Sequence, residues 1–134
     1  MKHVHFLGIG GSGMNAVAGI AHAFGYTVSG CDMKESEYWD DLRTQQIPII
    51  IGHDPSHLKG IDILCITAAV LHQKDKPLEY TEALSKGIPV MQWQEFLGNE
   101  LQKNKSVIAV AGTKGKTSTT ALVGRLFEIA QKDP

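Results

Sequence analysis

Short, nearly continuous apolar runs alternate along this chain with longer stretches of mixed apolar and polar residues. That rhythm predicts strands and helices taken in turn. Strands are expected at 2–7, 26–30, 48–51, 61–67, 88–91 and 106–111, and helices at 13–24, 36–46, 77–86, 93–103 and 116–132. Ser36 reads as an N-cap, Gly25 and Gly87 as C-terminal stops, and Pro77 as a first-turn proline. The fourth run is apolar throughout, as a strand covered on both faces should be.

Strands separated by helices imply a parallel sheet with right-handed crossovers. The expected fold is α/β, a Rossmann-like doubly wound parallel sheet in the order 3-2-1-4-5. The polar segment 102–106 is the candidate linker. It divides a domain at 1–103 from residues 104–134, whose strand and helix read as one βα unit of a second domain.

Composition narrows the classes. The 134 residues are 43% hydrophobic and 20% charged, with net charge -1. Nothing in that balance suggests a nucleic-acid or membrane-surface partner, and no apolar run approaches the roughly 20 residues of a membrane span. The first strand starts at once, so a cytoplasmic protein without a signal peptide is expected. Cys31 and Cys65 end or interrupt strand-like runs and are read as buried free thiols.

Two glycine-rich loops carry the candidate chemistry. The first, Gly8-Ile9-Gly10-Gly11-Ser12-Gly13, joins strand one to helix one. Its glycines allow a tight turn and close backbone approach, and the helix N-terminus faces an anion. Asp32, at the end of strand two, is placed to accept a ribose hydroxyl. The loop fits NAD or another diphosphate-bearing nucleotide. The second loop, Gly112-Thr113-Lys114-Gly115-Lys116-Thr117, is a short relative of the P-loop with Val110 where the full pattern has glycine. Lys116 would neutralise β- and γ-phosphate charge and the Thr117 hydroxyl would ligate Mg²⁺. The residues after Thr117 supply one helix, so the remaining metal ligands are expected elsewhere.

The two loops at this spacing resemble the Mur ligases of bacterial cell-wall synthesis. So do the stretch 5–14 and the segments Gly25-Tyr26, Ser29-Gly30-Cys31-Asp32, Ile51-Gly52-His53-Asp54, Gly87-Ile88-Pro89-Val90 and Ala109-Val110-Ala111-Gly112-Thr113. The resemblance covers essentially the whole chain and points to the branch that adds L-alanine to UDP-N-acetylmuramate. It implies a UDP-sugar-binding domain followed by the start of a central ATPase domain, the amino-acid site lying outside this chain. In that family the first loop holds a UDP-sugar diphosphate. The resemblance carries substrate contacts to Gly10, Gly11, Ser12, Gly13, Met14, Asp32, His53 and Thr67. It carries ATP contacts to Gly112, Thr113, Lys114, Gly115, Lys116, Thr117 and Ser118, with Lys116 catalytic and Thr117 on the metal. The implied reaction is ATP-dependent amide formation through an acyl phosphate, needing ATP and Mg²⁺. This chain alone is expected to be inactive. Thr67-Ala68-Ala69 departs from the family's usual Ser-Ser-Ala, and Lys114 replaces a common His, as in the related folylpolyglutamate synthases.

Three other readings remain: a recycling ligase that adds a whole peptide to the same sugar nucleotide, an NAD-dependent oxidoreductase domain, and a non-catalytic UDP-sugar-binding module. His3 and His5 read as strand-face residues without chemistry, and Trp39 and Trp93 as packing. His57 and His72 lack a partner arrangement, and no His/Cys spacing matches a zinc site.

Overall fold

The computed structural model describes residues 1–132; Asp133 and Pro134, the end of the second expected domain, lie outside the described residues. The chain divides into two compact units, Met1–Lys103 and Asn104–Pro134.

In the first unit, β1 (His3–Leu7), β2 (Thr27–Asp32), β3 (Ile49–Ile51), β4 (Ile63–Ile66) and β5 (Val90–Gln92) form one sheet in the order β3-β2-β1-β4-β5. Every pairing is parallel. Parallel neighbours cannot be joined by a tight turn, so longer crossovers link them. These carry α1 (Ser12–Ala23), α2 (Trp39–Thr44), a 3₁₀ turn (Pro55–Leu58), α3 (Ala68–His72) and α4 (Leu78–Ser85). After β5, α5 (Trp93–Phe96) runs into a π-helical turn at Leu97–Leu101.

Alternate strand residues fill opposite layers. Val4 and Phe6 of β1 and Ile63 and Cys65 of β4 join Met14, Val17 and Ala21 of α1 and Phe96 of α5 in one core. Leu7, Leu64 and Ile66 join Val70 of α3 and Ala83 of α4 in the other. A sheet covered on both faces explains why the central strands read as unbroken apolar runs. Both cysteines are buried and free.

Phe96 anchors the first layer, edge-to-face against Phe6 at 5.7 Å and Tyr26 at 5.6 Å. The Tyr26 hydroxyl donates to Glu100 Oε2 at 2.8 Å, an oxygen that Lys2 Nζ also reaches at 2.8 Å. Burial and the neighbouring carboxylate push the Tyr26 phenol up to about 12. Tyr26→Phe is expected to lower stability by about 0.5–1.5 kcal/mol, the net value of one hydrogen bond. Urea unfolding at an unchanged slope would read it.

Three local expectations are corrected, and two short elements appear where none was expected. The run 106–111 forms no strand among the described residues, because a β-prone segment becomes a strand only where a neighbour completes its backbone ladder. Ser36 is not an N-cap: its hydroxyl donates to Gly10 O at 3.0 Å, and α2 begins three residues later. The 3₁₀ turn and α3 arise in segments for which the pattern predicted no element. The last helix, α6 (Lys116–Ile129), ends before residue 132 and has no buried residue. Among the described residues no helix is long and apolar enough to cross a membrane.

Candidate functional site: a glycine loop over a polar cleft

β1 ends in the turn that leads to α1, and the tip of β2 holds that turn in shape. Cys31 O accepts the amides of both Gly8, at 2.8 Å, and Ile9, at 3.1 Å. One residue on, Asp32 Oδ2 accepts the Gly10 amide at 2.8 Å, while its Oδ1 accepts the Met33 amide at 2.8 Å. Gly8 sits at φ +91°, where only glycine is at ease. Gly10 is needed for space instead. A methyl group there would lie 2.7 Å from Asp32 Oδ2 and 3.2 Å from both Ser36 Oγ and Trp39 Nε1.

The next amides are differently placed. Gly11 is the N-cap of α1, with no side-chain cap and no acidic residue in the first turn. Helix geometry leaves the amides of Ser12, Gly13 and Met14 without intrahelical acceptors. Three donors and the positive end of the helix dipole thus lie together at the start of α1.

A cleft of about 290 Å³ opens beside this loop at the carboxyl ends of β1, β2 and β4. Its walls include Gly8, Gly11, Asp32, Met33, His53, Thr67 and Gln73. Ligands bind at this edge of open α/β sheets. Of the expected substrate residues, the fold brings Gly11, Asp32, His53 and Thr67 to one cleft, with Gly10, Ser12, Gly13 and Met14 in the adjoining turn. A larger hollow of about 540 Å³ lies along the flank of α1 and α2, away from the strand ends.

Beneath the cleft lies a polar cluster. Glu79 of α4 is fully buried. Its Oε1 accepts the Asp54 amide at 2.8 Å and lies 3.2 Å from His57 Nδ1 and 3.3 Å from His53 Nδ1. Cys31 Sγ stands 3.6 Å from the same oxygen, 3.5 Å from His53 Nδ1 and 3.4 Å from His5 Nε2. Burial, then the Glu79 charge, pushes the Cys31 thiol well above its ordinary range. The expectation that His57 lacks a partner is therefore corrected. His5, read as a plain strand-face residue, is buried, with its Nδ1 2.8 Å from Ser29 Oγ.

Burial, reinforced by His57, His3 and His53, holds the His5 imidazole down at about 3. The ordinary value is about 6.5, so the unfolded chain binds this proton more readily than the folded one. The linked stability is complete above about pH 6.5 and is lost as pH falls towards 3, at up to about 1.4 kcal/mol per pH unit. Denaturant midpoints measured across that window should fall, and His5→Gln should flatten the dependence.

In the second unit, Gly112 at φ +157° and Gly115 at φ +78° shape the turn into α6. Lys116 Nζ donates to Gly112 O at 2.7 Å, folding the ammonium back over its own loop. Thr117 and Ser118 lie in the first turn of α6, whose N-terminus has no side-chain cap and no acidic residue. Thr113 and Lys114 lie in the turn itself. This is a chemically suitable seat for a phosphate chain with a magnesium ion.

Sequence reading missed Glu79, Cys31 and His57 as site residues, and gave Trp39 only a packing role. Trp39 is buried with its Nε1 unpartnered, close to Gly10. The cluster residues come from β2, from the turns that follow β3, and from α4, so no local spacing marks them. Only the strand order, which sets β3 beside β2, brings them together.

Residues 3–105 match the Mur ligase family, catalytic domain. A UDP-N-acetylmuramate–L-alanine ligase from Persephonella marina is 42% identical over the whole chain, which spans 28% of that protein. Among solved structures, the UDP-N-acetylmuramate-alanine ligase MurC from Thermotoga maritima shares 33% identity at TM-score 0.86, over 98% of this chain and 30% of that one. A murein peptide ligase from Psychrobacter arcticus shares 30% identity at TM-score 0.87, over 98% of this chain and 27% of that one. The chain thus spans about 28% of the length of the curated relatives it matches.

Proposed function

The chain belongs to the Mur ligase family, and we propose that its first unit binds UDP-N-acetylmuramate for an ATP-dependent, amide-forming ligase of peptidoglycan synthesis that adds L-alanine. The observation that carries this reading is the uncapped start of α1, with Ser12, Gly13 and Met14 in its first turn, beside a cleft walled by Asp32, His53 and Thr67. An anionic diphosphate satisfies their amides and the helix end. The lone pairs that Asp32 does not spend on Gly10 and Met33, together with the Thr67 hydroxyl and His53, are suited to hydroxyl and imide groups of a nucleotide sugar.

In the second unit, Gly112, Thr113, Lys114, Gly115 and Ser118 would seat ATP, with Lys116 against its phosphates and Thr117 on Mg²⁺. Bound there, ATP supplies the phosphoryl group that activates a carboxylate. Lys116 must leave the Gly112 carbonyl to meet phosphate, so part of its charge stabilisation is exchanged rather than newly made. The protein acts in the cytoplasm, and the 134-residue chain by itself catalyses no ligation.

The test is titration with UDP-N-acetylmuramate while the amide signals of Gly10–Gly13 are followed. Saturable shifts are expected. Their absence at millimolar ligand would overturn the proposal, and tighter binding of NAD would favour an oxidoreductase domain. The structural likeness to a murein peptide ligase supports a second reading, in which the amine acceptor is a whole peptide; the sugar nucleotide is then the same.

A further inference from the structure

We propose that Cys31, His53 and Glu79 form a binding site for a zinc-type divalent cation in the floor of the nucleotide-sugar cleft. The three donor atoms form a nearly regular triangle. Cys31 Sγ to His53 Nδ1 is 3.5 Å, Cys31 Sγ to Glu79 Oε1 is 3.6 Å, and His53 Nδ1 to Glu79 Oε1 is 3.3 Å. A tetrahedral zinc with bonds of about 2.3 Å to sulfur and about 2.0–2.1 Å to nitrogen and oxygen would space its ligands by about 3.5 Å and about 3.3 Å respectively. Each edge of the triangle therefore matches the edge that its own pair of elements requires. One ion can replace the three mutual contacts without moving the backbone.

A second observation points the same way. Glu79 is fully buried, yet its Oε2 has no hydrogen-bond partner. Its Oε1 is crowded by the Asp54 amide, two imidazole nitrogens and a thiol. A carboxylate buried this completely is costly without a balancing positive charge, and a cation on Oε1 supplies one.

The donor chemistry selects the ion. Thiolate, imidazole and carboxylate suit zinc and its late first-row neighbours, whereas magnesium and calcium take oxygen ligands. The site is thus chemically distinct from the magnesium seat expected at Thr117. Supporting groups surround the ligands. His5 Nε2 lies 3.4 Å from Cys31 Sγ, and its other nitrogen is held by Ser29 Oγ at 2.8 Å. His57 Nδ1 stands against the ligating oxygen of Glu79 at 3.2 Å. Such partners orient metal ligands. The ion takes the place of the Cys31 thiol proton, which passes to solvent. Three protein ligands leave the fourth position of a tetrahedral ion for water or another group, and His53 belongs to the cleft wall as well.

The experiment uses the 134-residue chain, stripped with chelator and titrated with Co²⁺ and then Zn²⁺ in the absence of any nucleotide. One equivalent of Co²⁺ is expected to produce a thiolate-to-cobalt charge-transfer band and the strong visible absorption of four-coordinate cobalt. Zn²⁺ should bleach both. Cys31→Ser should lose the charge-transfer band and Cys65→Ser should keep it. His53→Ala, at a partly exposed position, should bind Co²⁺ more weakly by about tenfold or more. No thiolate band in the unmodified chain, a band that survives Cys31→Ser, or unchanged affinity in a folded His53→Ala would overturn the proposal. The readout requires no sugar nucleotide, so its failure and the failure of the proposed function are separately visible.

Discussion

Gly30→Ala is expected to destabilise the first unit by about 3 kcal/mol, at the upper end of what overpacking a core costs. A methyl group at Gly30 would lie 2.8 Å from Ile9 Cβ and 2.9 Å from Phe6 O, and closer still to Ile9 Cδ1. Ile9 cannot yield easily: it is fully buried in the layer that holds Phe6, Met14 and Leu42. Phe6 O belongs to β1, which pairs with β2 at this register. The strand and the glycine turn would have to separate together. Gly98 is the natural comparison, since a methyl group there meets nothing within 4 Å. Chemical denaturation of the two variants should give a large loss for Gly30→Ala and little change for Gly98→Ala. A Gly30→Ala loss below about 1 kcal/mol would mean that the turn can lift off β2.

Asp32→Ala is expected to weaken UDP-N-acetylmuramate binding by about 30-fold, or about 2 kcal/mol. The carboxylate holds two backbone amides, Gly10 through one oxygen and Met33 through the other, both at 2.8 Å. Alanine leaves the part-buried Gly10 amide without its acceptor and releases the turn that aims the amides of Ser12, Gly13 and Met14. Asp32→Asn retains one acceptor oxygen, so it should fall between alanine and the native residue. Calorimetric titration of the three proteins checks the series. Native affinity in Asp32→Ala would show that the carboxylate does not shape the ligand site.

Features encoded within a few residues are legible in the sequence itself. The turn Gly8–Gly13 lies between two elements that its own neighbours specify, and the parallel pairing follows from alternating strands and helices. Features that depend on distant chain are not. Ser36 has the chemistry of a helix cap, yet Gly10 O, 26 residues away, takes its hydroxyl. The five residues of α3, Ala68–His72, are too few to show a helical period. The run 106–111 has strand composition, but composition does not supply a neighbouring strand. In the sequence, Glu79 is one more acidic residue on an amphipathic helix. Its burial is decided by Cys31, His53 and His57, which the sheet delivers from positions 22 to 48 residues away.

The grip of β2 on the glycine turn has a thermodynamic consequence. Gly8, Ile9 and Gly10 give their amides to Cys31 and Asp32, so the turn loses its conformational entropy when the sheet forms, before any ligand arrives. A diphosphate bound as proposed would then meet donors whose ordering belongs to folding rather than to association. Affinity at the loop is therefore coupled to the pairing of β1 with β2. Substitutions in that ladder can weaken ligand binding while leaving every contacting atom in place.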